Sequence, residues 1–314
     1  MKIEDIIKKC NDNNIEIWSE GLELYFKFQE KPSDEFISIL KKYKHNIIEY
    51  LEEQKQVKID KDNLYDVFPL TDIQAAYLAG SNDDYYLGGV NCHTYLEFKV
   101  GHININKFQS VWHKVIDKHD MLRAIISKEG NQKIKDNVEY PNVEVYDLSN
   151  LSGFELDKKL NSIRDTLSSK KYDYNYWPLH MFSISVLKDY DIIHFSIDMI
   201  IADFISINLI FKDMNNYYCG EIKKSDIEES NISFRDYVIH SKKKNEILPQ
   251  NIKRFNVDKK YWMDKISHMS NAPILPVKSD VNKERKFDRL KLCLNKDKWN
   301  YIKKMASGNG ITPS

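Results

Sequence analysis

The residues best placed to do chemistry lie in the stretch His194-Phe195-Ser196-Ile197-Asp198-Met199-Ile200-Ile201-Ala202-Asp203-Phe204-Ile205-Ser206. Apolar residues lead up to Asp198 as a strand would, and a helix begins near Asp203, so the two carboxylates bracket a strand-to-helix connection in a strongly apolar segment. A buried acid is costly unless it is paired or hydrogen-bonded, so each should meet an arginine, a backbone amide or a reacting group. Two kinds of work are open to such a pair. One is general acid–base transfer, which needs a tuned pKa. The other is bracing of the turn, with Asp203 capping the helix and Ser206 facing it; on residue types alone bracing is slightly the better account.

Other signals of chemistry are weaker. The nine histidines are scattered; His93 beside Cys92 and His119 beside Asp120 read more readily as satisfied core or surface groups than as ligands. No H-E-x-x-H, G-x-S-x-G, P-loop or G-x-G-x-x-G pattern occurs, which removes the zinc-peptidase, serine-hydrolase, phosphate-loop and dinucleotide readings. Gly88-Gly89 reads as a turn. The four cysteines, Cys10, Cys92, Cys219 and Cys293, are far apart without a C-x-x-C pair, against both a disulfide framework and a thiolate metal site. With 47 Lys+Arg balancing 47 Asp+Glu, the chain lacks the net basic charge that drives binding to nucleic acid. Neither a signal peptide nor an uninterrupted apolar span appears, so no membrane partner is expected and the reading is cytoplasmic.

The elements that must position these residues can be read from periodicity. At 314 residues the chain is long enough for two domains at roughly 150 residues each. Ile3, Ile6, Ile7 and Cys10 form the stripe of a short helix that ends at Asn11-Asp12-Asn13-Asn14. A hairpin follows, with Ile15 and Ile17 on one strand, a turn at Ser19-Glu20-Gly21, and Leu22, Leu24, Phe26 and Phe28 on the buried face of the other. Ser33 caps a further helix whose stripe, Phe36 to Leu51, is interrupted near Lys44-His45. These residues make a small αββαα domain over 1–56, either a structural appendage or, through its open strand edge, a module that captures a peptide. Residues 57–64 read as a linker. From 65 onward the pattern is mixed α/β (α+β), with helices at Asp72–Ala79, Ile105–Lys118, Leu156–Ser168 and Phe204–Tyr218. Strands fall at Thr94–Val100 and Met121–Ser127, and a buried hairpin spans Met181–Leu187 and Ile192–Ile197.

Phe68-Pro69-Leu70-Thr71-Asp72-Ile73-Gln74-Ala75-Ala76-Tyr77-Leu78-Ala79-Gly80 resembles the opening motif of heterocyclization domains of nonribosomal peptide synthetases, the specialised relatives of condensation domains. Leu87 to His93, Lys118 to Arg123, Trp177-Pro178-Leu179, the D-x-x-x-x-D-x-x-S of Asp198 to Ser206, Tyr261-Trp262 with Ala272 to Pro276, and Thr312-Pro313-Ser314 resemble further family signatures in the same order across residues 65–314. Residues 1–54 resemble the TubC-type N-terminal docking domain. The departures are Ser81, where the family usually has arginine, and His180, where it usually has an aromatic residue.

The resemblance implies the N-terminal lobe, and the start of the second, of a chloramphenicol-acetyltransferase-like condensation fold. It implies peptide-bond formation and cyclodehydration of Cys, Ser or Thr to a thiazoline or oxazoline. No cofactor would be bound directly; the substrates would ride on the 4'-phosphopantetheine of carrier proteins. The implied partners are the C-terminal tail of an upstream synthetase, upstream and downstream peptidyl carrier proteins, and a second copy through the docking domain. By the same resemblance Asp198, Asp203 and Ser206 are the catalytic candidates, Arg289 is the partner of Asp203, and Trp18, Tyr25 and Lys27 dock the tail. Met199 stands where ordinary condensation domains carry their histidine and cannot move a proton, which disfavours a free-standing acyltransferase. A docking or scaffold protein without catalysis is the alternative. Because the family's second lobe holds a Thr and an Asp implicated in cyclodehydration, the 314-residue chain alone is expected to show little or no heterocyclase activity and to expose an apolar, self-associating face near its C-terminal end. Thiazoline formation by this chain alone, from loaded carrier proteins, would overturn that expectation.

Overall fold

The computed structural model describes residues 2–28, 30–84, 88–221, 232–247, 249–271 and 292–313. At the N-terminus, helix α1 (Ile3–Asp12) buries Ile6, Ile7 and Cys10 along one stripe. Strands β1 (Glu16–Glu20) and β2 (Glu23–Lys27) pair antiparallel, with Trp18 opposite Tyr25. Helices α2 (Asp34–Lys42) and α3 (Lys44–Glu53) follow, separated only by Tyr43. Ser33 Oγ accepts from the Phe36 amide at 3.2 Å, which satisfies one of the unpaired first-turn donors of α2. Ile6, Ile7, Cys10, Ile15, Ile17, Leu40, Ile47 and Leu51 form a core of their own.

Two details of the hairpin differ from the expectation. The turn falls at Gly21-Leu22, one step later than predicted, because Gly21 takes the left-handed conformation (φ 61°) that the reversal requires and Ser19 and Glu20 can then remain in the strand. Leu22 therefore lies in the turn, 81% exposed, and Phe28 lies past the strand end, 39% exposed; only Leu24 and Phe26 of the predicted face pack on the core.

Beyond residue 57, strand β3 (Phe68–Pro69) leads into helix α4 (Asp72–Gly80), capped by Thr71 and Gln74 in a reciprocal box. Strand β4 (His93–Val100) and helix α5 (Ile105–Lys118) are followed by a short 3-10 turn, Asp120–Arg123, and then by strands β5 (Ala124–Ile126), β6 (Asn131–Ile134) and β7 (Glu144–Asp147). The expected strand at Met121–Ser127 thus begins only at Ala124. Arg123 is the reason: its guanidinium turns back to accept no strand role and donates instead to the Ile116 and Asp117 carbonyls at 2.7 Å, closing the end of α5. Helix α6 (Gly153–Ser168), strands β8 (His180–Val186) and β9 (Asp191–Asp198) and helix α7 (Phe204–Cys219) complete the part that frames the site.

The main sheet runs β4-β9-β8-β7, with only β7 and β8 parallel; β3-β6-β5 form a second, smaller sheet. One face of the main sheet packs on α5 and α7 through Trp112, Phe182, Phe195 and Ile210, and the other on α6 through Leu160, Ile163 and Ile192. His119 and Lys118, at the end of α5, hold the Asp213 carboxylate of α7 at 2.7 and 2.9 Å. Helices α8 (Phe234–Ile247) and α9 (Pro249–Ile266) follow. Asp236 of α8 accepts from the Asp60 amide and Arg235 donates to the Asp60 carboxylate, so the segment between β2's domain and β3 is anchored. Lys253 of α9 pairs with Glu16 of β1.

The chain divides by its contacts into Met1–Ser279 and Asp280–Ser314. In the second unit, helix α10 (Lys296–Gly308) is capped by Asn295. Tyr261, Trp262, Met263 and Ile266 of α9 are exposed, and so, in the second unit, are Trp299, Tyr301 and Met305 of α10. Arg289 and the Ala272–Pro276 motif lie outside the described residues.

The aromatic heart of the larger core gives a test of this packing. Trp112 sits edge-on to His180, Phe182 and Phe195, with ring centroids 5.0, 4.7 and 6.2 Å away. Trp112→Ala should cost about 3–5 kcal/mol in guanidinium unfolding monitored at the main transition; a loss below about 1 kcal/mol would contradict the packing.

Candidate functional site

Asp198 ends β9 with its side chain fully buried, 0% exposed. Strand pairing puts it opposite His93 of β4, and its own amide donates to the Leu179 carbonyl at 3.0 Å. Among the described residues the carboxylate has three partners, all uncharged. Oδ1 accepts from the Ile200 amide at 3.0 Å and from the Tyr174 hydroxyl at 3.4 Å, and Oδ2 accepts from Asn91 Nδ2 at 3.0 Å. Of the three expected kinds of partner, Asp198 thus meets a backbone amide. Burial pushes its carboxyl up to about 6, and the three hydrogen bonds hold it from rising further.

The partners of Asp198 also wall a cleft of about 560 Å³. Asn91, Tyr172 and Tyr174 line it together with Lys128, Asp173 and Asn175. The end of α4 lines it too, with Leu78, Ser81 and Asn82. Asn91 Nδ2 also donates to the Tyr172 carbonyl at 2.9 Å, so one amide ties the tyrosine segment to Asp198. The preceding turn needs glycine: Gly89 has φ 82°, and a Cβ there would run into the Asp83 carboxylate.

Asp203 occupies a different environment. It is exposed, caps α7, and its Oδ1 accepts from both the amide and the hydroxyl of Ser206 at 2.7 Å. Those bonds hold its carboxyl below the ordinary range. Ser206 therefore faces Asp203 in a helix cap, which is the bracing geometry. Phe204 and Ile205 project beside them, both more than half exposed. The proposed partner Arg289 is outside the described residues.

Both departures from the motif have local explanations. Ser81 donates to the Leu78 carbonyl at 2.8 Å and hydrogen-bonds with Tyr174, so it completes the cleft wall with a hydroxyl. His180 fills an aromatic slot between Trp112 and Trp177, and its Nε2 meets the Leu122 carbonyl at 2.9 Å, the same acceptor that Trp177 Nε1 uses at 2.8 Å. Full burial drives His180 down to about 4, keeping it a neutral ring. Tyr172, Tyr174 and Lys128 were not singled out from the sequence. The only signal was the alternation Tyr172-Asp173-Tyr174-Asn175-Tyr176 ahead of the Trp177 motif. At the N-terminus, Trp18 stacks on Tyr25 with centroids 5.7 Å apart on the outer face of the hairpin, and Lys27 sits exposed at the end of β2.

The Asp198 carboxyl is raised in the folded chain above its unfolded value of about 3.9, so the native state holds its proton more tightly. Stability contributed by the protonated form is present at low pH and lost as pH rises through about 6. Asp198→Asn cannot ionise. Its stability relative to the parent should therefore improve by about 3 kcal/mol between pH 4 and pH 7.5; parallel pH profiles in urea unfolding would refute the buried, unpaired acid.

The chain is 32% identical over 260 residues to bacitracin synthase 1 of Bacillus licheniformis, covering 81% of this chain and 5% of that protein. It is 27% identical over 251 residues to phenyloxazoline synthase MbtB of Mycolicibacterium paratuberculosis, covering 79% of this chain and 20% of that protein. The EpoB cyclization-docking bidomain of a nonribosomal peptide synthetase from Sorangium cellulosum shares the fold over 99% of this chain and 62% of its own, with TM-score 0.69 and 23% identity. The chain thus spans a small part of its curated relatives. Residues 65–314, most of the chain, match the condensation domain family model, so the chain belongs to the condensation domain family.

Proposed function

We propose that residues 65–314 form part of a heterocyclizing condensation module and that residues 1–56 dock it to an upstream synthetase, with 57–64 as the linker. The observation that carries the reading is the buried Asp198 carboxylate, which anchors Asn91 and Tyr174 in the wall of the cleft while Met199, next in the chain, offers no proton-transfer group. The family membership, the oxazoline named in MbtB and the cyclization-docking pair named in EpoB support it.

In this reading an acyl or peptidyl thioester arrives on the 4'-phosphopantetheine of an upstream carrier protein. The amine of a downstream Cys, Ser or Thr thioester attacks its carbonyl, the amide forms and the upstream thiol leaves. The side-chain thiol or hydroxyl then adds to the new amide carbonyl, and loss of water leaves the C=N of a thiazoline or oxazoline. Asp198 has no exposed surface, so it acts through the wall it holds: the Tyr174 hydroxyl and the Asn91 amide are the groups it presents in fixed orientation. Asp203 and Ser206 set the start of α7 beside the exposed Phe204 and Ile205. The hairpin, with the Trp18–Tyr25 stack and Lys27 on its outer face, takes the upstream tail.

The test supplies loaded carrier proteins and the remainder of a condensation-family module in trans, and follows amide formation and loss of water by intact mass. Asp203→Asn keeps an oxygen able to cap α7, so unfolding should move by no more than about 0.5 kcal/mol. Product formation should still fall about tenfold or more if the charge matters; an unchanged rate would reduce Asp203 to a cap. In a separate titration, candidate upstream tail peptides should shift the amide signals of Glu16–Lys27, and Trp18→Ala should weaken binding about tenfold. Unshifted hairpin amides would contradict the docking role.

A further inference from the structure

The cleft wall is gripped at a second point, away from Asp198. Tyr172 places its hydroxyl 2.7 Å from Ser196 Oγ, and Ser196 Oγ lies 2.7 Å from His93 Nε2. On its other side the imidazole hydrogen-bonds the backbone of Ser168, at the end of α6. A backbone carbonyl only accepts, so Nδ1 carries the hydrogen and the neutral ring presents Nε2 as an acceptor. Ser196 then donates to His93 and is left to accept from Tyr172. The Tyr172 hydroxyl also reaches the Ser196 carbonyl, at 3.2 Å, so both of its acceptors belong to Ser196.

A Ser–His pair invites a nucleophilic reading, and burial removes it. Ser196 is 0% exposed, within the sheet between β4 and β8, and no carbonyl of a substrate can reach its oxygen. What the chain reaches is the cleft. The same three-residue segment, Asn91 to His93, holds Tyr172 twice: His93 through Ser196 at the hydroxyl, and Asn91 directly at the carbonyl, at 2.9 Å. Two residues further on, Tyr174 places its hydroxyl against Asp198. The position of Tyr172 therefore sets both side-chain hydrogen bonds to the buried carboxylate.

We infer that His93 is a positioning residue of the Asp198 cleft, anchoring the Tyr172–Tyr174 wall through Ser196. The inference rests on the reading of that cleft as the reaction site. Lys170 stands over the Tyr172 ring, 5.6 Å from its centroid, and with burial it keeps the His93 imidazole neutral, the form in which Nε2 can accept. Asp198 is the other charge acting on Tyr172.

The experiment titrates the Asp198 carboxyl carbon by NMR in the full chain. His93→Phe keeps a ring and removes the acceptor. Loosening Tyr172 lengthens the Asn91 and Tyr174 bonds that favour the carboxylate, so the Asp198 midpoint should rise by about half a unit to one unit, a three- to tenfold gain in proton affinity. His93→Gln restores an acceptor and should return the midpoint to that of the parent. An unchanged midpoint in a folded His93→Phe chain would overturn the inference and leave His93 as packing. Should that variant not fold, the parent chain decides: imidazole nitrogen shifts must show His93 protonated at Nδ1 and bare at Nε2 at neutral pH, and the opposite tautomer overturns the inference. Because the readout is a titration, a catalytically silent cleft would appear only in the turnover assay and would leave these shifts intact.

Discussion

One carboxylate organises this molecule: that of Asp198, carried to the end of a central strand and buried there, with no cation among its hydrogen-bond partners in the described residues. Burying such a group is unfavourable, and three neutral donors, the Ile200 amide, Asn91 and Tyr174, offset only part of the cost. The consequence is a carboxyl poised near 6, where both protonation states are populated near neutrality. The donors come from three separate places: the turn after β9, the segment before β4, and the approach to β8. Ordering Asp198 therefore orders the junction of the main sheet with the cleft.

The rest of the fold supplies rigidity to that junction. Antiparallel pairing of β4 with β9 and of β9 with β8 fixes His93 and Ile197 around Asp198. The aromatic packing of Trp112, Phe182 and Phe195 stiffens the sheet from behind. Arg123 and the Leu122 carbonyl tie the end of α5 to the Trp177 and His180 rings, so the segment that follows Tyr174 cannot drift. Polar groups on the other face of the sheet extend the order: Tyr95, His194 and Ser185 form a second hydrogen-bonded row, with Arg164 of α6 holding Glu97 at 2.7 Å. These are satisfied networks, and satisfied buried networks specify one arrangement more than they add stability.

Much of this was legible in the residues. The apolar stripe of Ile3 to Cys10, the Ser33 cap, the β8–β9 hairpin and the capping of α7 by Asp203 all follow from local periodicity or from a side chain acting on a backbone a few positions away. What was illegible was nonlocal. Tyr172 and Tyr174 look like surface alternation until Asn91, some eighty positions earlier, draws them onto Asp198. Arg123 reads as part of a strand until its guanidinium finds the carbonyls of a helix end. Leu22 fits the alternation of Leu24 and Phe26, but the reversal at Gly21 takes it into the turn, while Leu24 and Phe26 keep the face the pattern predicts. The family resemblance marked Asp198 and Asp203 as a pair, yet their environments set them apart: one is buried and raised, the other exposed, capping and lowered.

The central claim is that Asp198 is a buried acid held by neutral donors. Selective carbon labelling of the aspartates and a pH titration of the Asp198 carboxyl in the full chain measures this directly. The account predicts a midpoint close to 6. A midpoint at or below the ordinary value of about 3.9 would mean that the group is solvated or paired with a cation, and would contradict it.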